Sequence, residues 1–317
     1  IRVYEDSIID AGPQAGNGFR DTFTVLRNGA NLEVSVNGLP AYTTPFAGAS
    51  LVTVRGSTDD DTLILDFSGG NPIPAAGIRY DGGGPGDHDT LKLTRGRVGR
   101  VVHRATGPGS GTLRVDGALL TYTGLEPIED DLTVAIREFE FGDGPDNITV
   151  TVGPATTEIV SPSSETLIFS NPTESLTLFA GGGNDVIQVV ATEPLAPNFA
   201  ILIDGGAGSN SIQSSGVALD THIYGTEGND NIKISEKKGV ITATVNGSIS
   251  TFQGLTNLEV YGLGGDDVIK LSGLAVPTMV DGGSGDDFID ASDVVRTNVT
   301  LLGGAGNDIL LGGAGND

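Results

Sequence analysis

The chain has 317 residues, with 41 acidic against 17 basic side chains for a formal net charge of −24, 49 glycines and no cysteine. That charge disfavours nucleic acid and anionic membranes, which reward basic patches, and makes cations the natural ligands. Disulfides and thiolate metal sites are excluded, and no apolar run approaches the roughly 20 residues of a membrane span.

Hydrophobic residues make up 38%, below the usual 45–50% or so, while each glycine adds to the entropic cost of folding. A bound metal is the staple that remains. Along the chain, Ile1-Arg2-Val3-Tyr4 reads as a strand already under way, with no basic-then-apolar export segment before it, so a processed product or a fragment is expected. Asp21 in GNGFRDTF (16–23) opens a series of motifs in which an aspartate is followed two residues later by a large apolar side chain. In LEVSVNG, Asn37-Gly38 between alternating apolar residues predicts a hairpin with a type I′ turn. GSTDDDTLI (56–64) and GGPGDHDTL (83–91, one residue too long) are degenerate copies of the aspartate motif, with a joint or loop at GGNPIP (69–74) between them. LRVDG predicts a second hairpin at Asp116-Gly117, and GDGPDNI (142–148) is a further degenerate copy. Prolines and serines cluster over 161–172. The expected division is a degenerate β-solenoid or β-rich region with hairpins over 1–160 and a regular solenoid over 161–317.

From 180 the motif becomes regular: AGGGNDVIQ (180–188), GGAGSNSIQ (205–213), GTEGNDNIK (225–233), GLGGDDVIK (262–270), GGSGDDFID (282–290), GGAGNDILL (303–311) and the partial GGAGND (312–317). A third hairpin is predicted at Asn246-Gly247 in ITATVNG, and each hairpin is expected to be an excursion that leaves the solenoid and returns to it. Laying Asp21–Leu63 on Asp230–Ile269 superposes Asn37-Gly38 on Asn246-Gly247 and Asp61 on Asp267, a second level of repetition. Asn210 to Asp230 and Asp267 to Asp287 are steps of 20 residues and Asp287 to Asp308 is 21, whereas Asp308 to Asp317 is nine. One coil per step places the glycine turn on a single side, passing into a two-sided roll at the last copy. No stretch keeps a helical period, and valine, isoleucine and threonine dominate, so the fold class is all-β. Because strand side chains alternate, Leu63, Leu91, Ile148, Ile187, Ile212, Ile232, Ile269, Ile289 and Leu310 are expected to point inward.

These copies resemble the repeats-in-toxin (RTX, hemolysin-type) nonapeptide family, whose pattern is G-G-x-G-x-D-x-U-x. The resemblance implies a parallel β-helix or β-roll solenoid with Ca2+ bound at the turns. Its ligands would be Asp267, Asp287 and Asp308, then Asp185 and Asp230, with backbone carbonyls such as those of Gly264, Gly285 and Gly306, and Asp317 in the partial copy. Asn210 lacks the charge. Coils about 4.7–4.9 Å apart leave an ion about 2.4 Å from oxygens above and below, a distance that suits calcium rather than magnesium. Stacked aspartates repel without a cation between them, so folding should depend on calcium.

Catalytic signatures H-E-x-x-H and G-x-S-x-G are absent. Asp87-His88-Asp89 is similar to the acid–histidine groups of uronate epimerases and lyases, but reads as a calcium turn with one inserted residue. His103 and His222 read as ordinary strand or loop residues, and the pairs Asp266-Asp267 and Asp286-Asp287 recur as a scaffold feature does. The expected function is a secreted or cell-surface calcium-binding structural or adhesive protein, such as a surface-layer component, adhesin stalk or fibre subunit, and not an enzyme. The alternative is the calcium-repeat region of a polysaccharide-acting lyase or epimerase. Calcium ions and a cell-surface or polysaccharide partner are expected, with no nucleic acid and no membrane insertion. Neither end carries a polar cap, and Gly312–Asp317 stops before its aliphatic position, which suggests a homotypic head-to-tail polymer.

Overall fold

The computed structural model describes residues 2–3, 8–10, 19–83, 88–192 and 199–317. These contain strands, one 3₁₀ turn at Phe67–Gly69 and no α-helix, so no helix is long and apolar enough to cross a membrane. Strand after strand buries alternate side chains, as in Asn31–Val36, where Leu32, Val34 and Val36 point inward. Successive coils then pair in parallel, which gives the all-β solenoid expected from the repeats. There are two compact units, Ile1–Phe141 with Val150–Leu176 and Gly142–Thr149 with Thr177–Asp317.

In the first unit, one sheet pairs Thr22–Asn28, Thr62–Asp66 and Asp89–Thr94 in parallel, which sets Phe23, Leu63 and Leu91 side by side, all fully buried. Both predicted hairpins form here with positive φ at both turn residues: 53° and 75° at Asn37-Gly38, 49° and 86° at Asp116-Gly117. They stay in the sheet rather than leaving it. Arg97–Gly107, Ser110–Val115 and Ala118–Thr123 form an antiparallel meander whose first strand pairs in parallel with Thr133–Glu140 and whose third pairs with Ile78–Asp81. Lifting the middle strand out would expose Leu113 and Val115, at about 1.5–3 kcal/mol each. Two buried polar groups sit among these strands. Arg137 pairs with Asp130 at 2.6 Å and donates to the Leu132 and Ser170 carbonyls. His103 lies 2.6 Å from Glu165, and Tyr122 hydrogen-bonds to both; burial, then the Glu165 charge, pushes the Tyr122 phenol up.

The second unit has one parallel sheet running through Ala200–Asp204, Leu219–Tyr224, Leu255–Tyr261, Thr278–Ser284 and Val299–Ala305. Its other sheet starts with Val186–Ala191 and Ser211–Ser215 and ends with Val268–Ser272, Phe288–Asp293 and Ile309–Leu311. Between them the Asn246-Gly247 hairpin inserts a meander: Ser248–Gln253 pairs with the preceding coil, Asn231–Lys237 with the following one, and Val240–Val245 lies between. The expected apolar positions meet as Ile187 with Ile212 and as Ile232, Ile269 and Ile289 in a row, all fully buried. Leu310 departs from the expectation at 41% exposure, because Ile309–Leu311 pairs only with Phe288–Asp293 among the described residues. Over one coil, then, one sheet advances by a single strand and the other by three. The turns at 205–210 and 225–230 are separated as a result.

Candidate metal centre

The glycine turns place each motif aspartate at the entrance to a strand, where its Oδ1 accepts the backbone N–H of the equivalent residue one coil earlier. Asp230 N–H donates to Asp267 at 2.8 Å, Asp267 to Asp287 at 2.9 Å and Asp287 to Asp308 at 3.0 Å. The same ladder joins Asp146 to Asp185 and Asp185 to Asn210, and in the first unit Asp21 to Asp61 and Asp61 to Asp89. A second ladder, of the residue just before each aspartate, runs the opposite way: Asp266 N–H donates to Asn229, Asp286 to Asp266, and Asn307 to Asp286. The doubled acidic residues thus divide the work, Asp267 and Asp287 buried in the inner ladder and Asp266 and Asp286 on the surface.

With Oδ1 committed, Oδ2 is the oxygen left for a ligand. In Asp185, Asp267 and Asp287 it is fully buried and takes no hydrogen bond among the described residues. In Asp267 and Asp287 it faces the first glycine of its own turn, a place that Ala180 takes in the turn of Asp185. A Cβ added at Gly262 would lie 2.2 Å from Asp267 Oδ2 and 2.3 Å from the Gly282 carbonyl oxygen; at Gly282 it would lie 2.3 Å from Asp287 Oδ2 and 2.6 Å from the Gly303 carbonyl. At these two turns glycine leaves a space open between a carboxylate and the next coil's carbonyl, the hard-oxygen donor set that calcium takes. Gly82 has the same surroundings in the first unit, with Asp89 Oδ2 at 2.3 Å and the Gly124 carbonyl at 2.4 Å. Burial, only partly offset by the ladder hydrogen bond and reinforced by neighbouring aspartates, pushes Asp185 and Asp267 up to about 6, and raises Asp287 in the same way.

Asp230 is placed differently, because the hairpin displaces its neighbour in the ladder. Its Oδ1 accepts the Asn246 side-chain N–H and its Oδ2 the Thr226 backbone N–H at 2.5 Å, while Asn246 Oδ1 receives the Asn231 N–H at 2.9 Å. Asn37 does the same for Asp21 and Thr22 in the first unit. The hairpin asparagine thus caps the ladders that start at Asp21 and Asp230, a role that the Asn-Gly turn signal alone does not reveal. Asn246→Ala is expected to cost about 1–3 kcal/mol through a lost pair of hydrogen bonds, one to a carboxylate, and an unfavourable turn φ. A thermal melt in calcium should fall by several degrees, and Asn37→Ala should match it.

Asp308 continues the inner ladder, and its Oδ2 would lie 2.3 Å from a Cβ at Gly303. Asp317 stands in the other sheet's turn row, accepting the Val299 N–H at 3.1 Å, so the last copy does pass to the opposite side. The Gly285 carbonyl points at Gly306, 1.9 Å from where a Cβ would sit, and Gly264 lies beside Glu227 and Ser284. The carbonyls facing Oδ2 are those of Gly262, Gly282 and Gly303, at the first position of the motif and so earlier than Gly264, Gly285 and Gly306 named from the sequence. Asp87 lies outside the described residues; His88 is an exposed member of the outer ladder, donating to Asp60 at 2.9 Å, and Asp89 is a member of the inner one. His103 and His222 both lie on strands, each beside a glutamate and a tyrosine, partners that single-residue reading missed.

The family model of the RTX calcium-binding nonapeptide repeat matches residues 177–188, 279–293 and 297–317, in four copies. These repeats bind Ca2+, and calcium is therefore the metal of this chain. No curated protein matches it.

Proposed function

We propose that this protein is a secreted structural or adhesive module, a solenoid stiffened by calcium ions held between successive glycine turns over 161–317. The observation that carries the reading is the buried, unbonded Oδ2 of Asp185, Asp267 and Asp287, which at Asp267 and Asp287 faces a space that a glycine keeps open. Asp267, Asp287 and Asp308 would hold the ions with the Gly282 and Gly303 carbonyls, and Asp185 would hold another. Asp230 would contribute only by giving up Thr226 and Asn246. Carbonyls of Gly264, Gly285 and Gly306 would complete the shells, and Asp317 would serve the opposite side. The stacking of one repeated turn suits a scaffold, since a catalytic group is needed once and a scaffold element many times. A chain that gains rigidity on meeting extracellular calcium would be limp during export and stiff afterwards.

Equilibrium dialysis against calcium, combined with single-molecule extension, tests both parts. Several ions per chain are expected, fewer in Asp267→Ala/Asp287→Ala, with a lower unfolding force in chelator. An unchanged ion count in that double variant would remove the assigned ligands, and identical force traces with and without calcium would remove the stiffening role.

A further inference from the structure

We propose that the second unit carries a binding cleft for a neutral saccharide ring beside the interrupted turn row. The cleft arises from the strand mismatch at the Asn246-Gly247 meander. Where the turns at 205–210 and 225–230 part, a space of about 360 Å3 opens, with Ala243, Val245 and Phe252 on its floor. That volume lies within the roughly 300–1,000 Å3 of small-molecule pockets, whose apolar lining with a few placed polar groups it shares.

Its rim is preorganised. Asp204 and His222 are paired neighbours on adjacent strands, and Tyr224 follows His222 on the same outward face, 40% exposed. The Tyr224 ring stacks on Tyr261, with centroids 5.3 Å apart and planes at 16°, and His222 meets both rings edge-on. His222 is fixed by Tyr224 Oη at 2.9 Å and Glu259 at 3.0 Å, and Tyr261 donates to Glu259 at 2.6 Å. An aromatic ring already held in place loses little entropy on binding. One Asp204 oxygen accepts the Gly206 N–H at 2.8 Å, and the other takes no hydrogen bond among the described residues.

An exposed ring face next to an open carboxylate and an apolar floor matches a pyranose, which offers C–H faces to the ring and hydroxyl donors to the carboxylate. Anionic sugars are opposed by Asp204, Glu259 and the net charge of −24. The inference gives the adhesive reading a ligand and rests on the calcium-loaded fold.

The chain has six tyrosines and no tryptophan, so tyrosine fluorescence in calcium reports the site. Cellohexaose and mannohexaose serve as neutral probes, hexagalacturonate and choline as charged ones. At least one neutral hexaose is expected to change the signal saturably, with affinity reduced tenfold or more by Tyr224→Ala and by Asp204→Asn. Both variants should keep the parent's circular dichroism in calcium. The proposal is overturned by the absence of neutral-sugar binding at about 1 mM, by response to choline or hexagalacturonate alone, or by unchanged affinity in both variants. Any of these leaves the calcium reading intact, because the calcium dependence of the dichroism checks that separately.

Discussion

Chelating calcium at pH 7 is expected to unfold the second unit, and acidifying the chelated protein to pH 5 is expected to recover part of its structure. Asp185 and Asp267 sit at about 6 in the metal-free fold, against about 3.9 in an unfolded chain. Their folded values are raised, so the folded state holds more protons across that window. The stability this gives is fully present below about 4 and is lost as the pH rises through about 6. At pH 7 each buried charge then costs about 2–3 kcal/mol, and two of them amount to much of the roughly 5–15 kcal/mol that keeps a domain folded. Calcium reverses the balance by binding the ionised form, adding about 4 kcal/mol at a thousand times its dissociation constant. Thermal melts followed by circular dichroism at pH 5, 6 and 7 separate the terms. The chelated midpoint should rise on acidification while the calcium-loaded midpoint falls, and coincident curves with and without chelator at pH 7 would refute the argument.

The residues that govern this behaviour were legible because one turn repeats. Reading the aspartate and the apolar residue two positions on placed Ile232, Ile269 and Ile289 in one buried row and Asp267 and Asp287 in one ladder. Laying Asp21–Leu63 on Asp230–Ile269 found two hairpins that make the same bonds, down to the asparagine on its aspartate. What escaped was whatever depends on sheet neighbours rather than on spacing. An Asn-Gly turn says that a hairpin forms, but the pairing partners of its outer strands decide whether it projects or widens the sheet. The His222 cluster was within reach, since the 37-residue step from Asp230 to Asp267, applied to His222 and Tyr224, lands on Glu259 and Tyr261. Nothing comparable points from His103 to Tyr122 and Glu165, where no repeat supplies the register.

Gly262→Ala should remove one calcium ion and cost several kcal/mol, a larger penalty than glycine replacement brings where only the backbone objects. Gly262 does not have the left-handed φ that alanine resists, so the effect comes from the space its missing side chain leaves. A methyl group there would lie 2.2 Å from Asp267 Oδ2 and 2.3 Å from the Gly282 carbonyl, and the latter belongs to a backbone tied into the next coil by the Gly262 N–H to Asp281 bond. Overpacking of this kind costs about 1–3 kcal/mol, and the forfeited ion adds to it. Two further variants separate these contributions. Gly29 has a φ of +59° and nothing within 4 Å of an added Cβ, so Gly29→Ala carries only the left-handed cost of about 1–2 kcal/mol. Gly225→Ala would meet Asp230 Oδ2 at 2.5 Å and the Gly262 carbonyl at 2.6 Å, but that carboxylate is already engaged by Thr226 and Asn246. It should therefore destabilise the fold without changing the ion count. Calcium stoichiometry and melting midpoints, measured together on the three variants, distinguish a metal cradle from a tight turn. If Gly262→Ala binds as many ions as the parent, Asp267 Oδ2 and the Gly282 carbonyl do not face a shared cation.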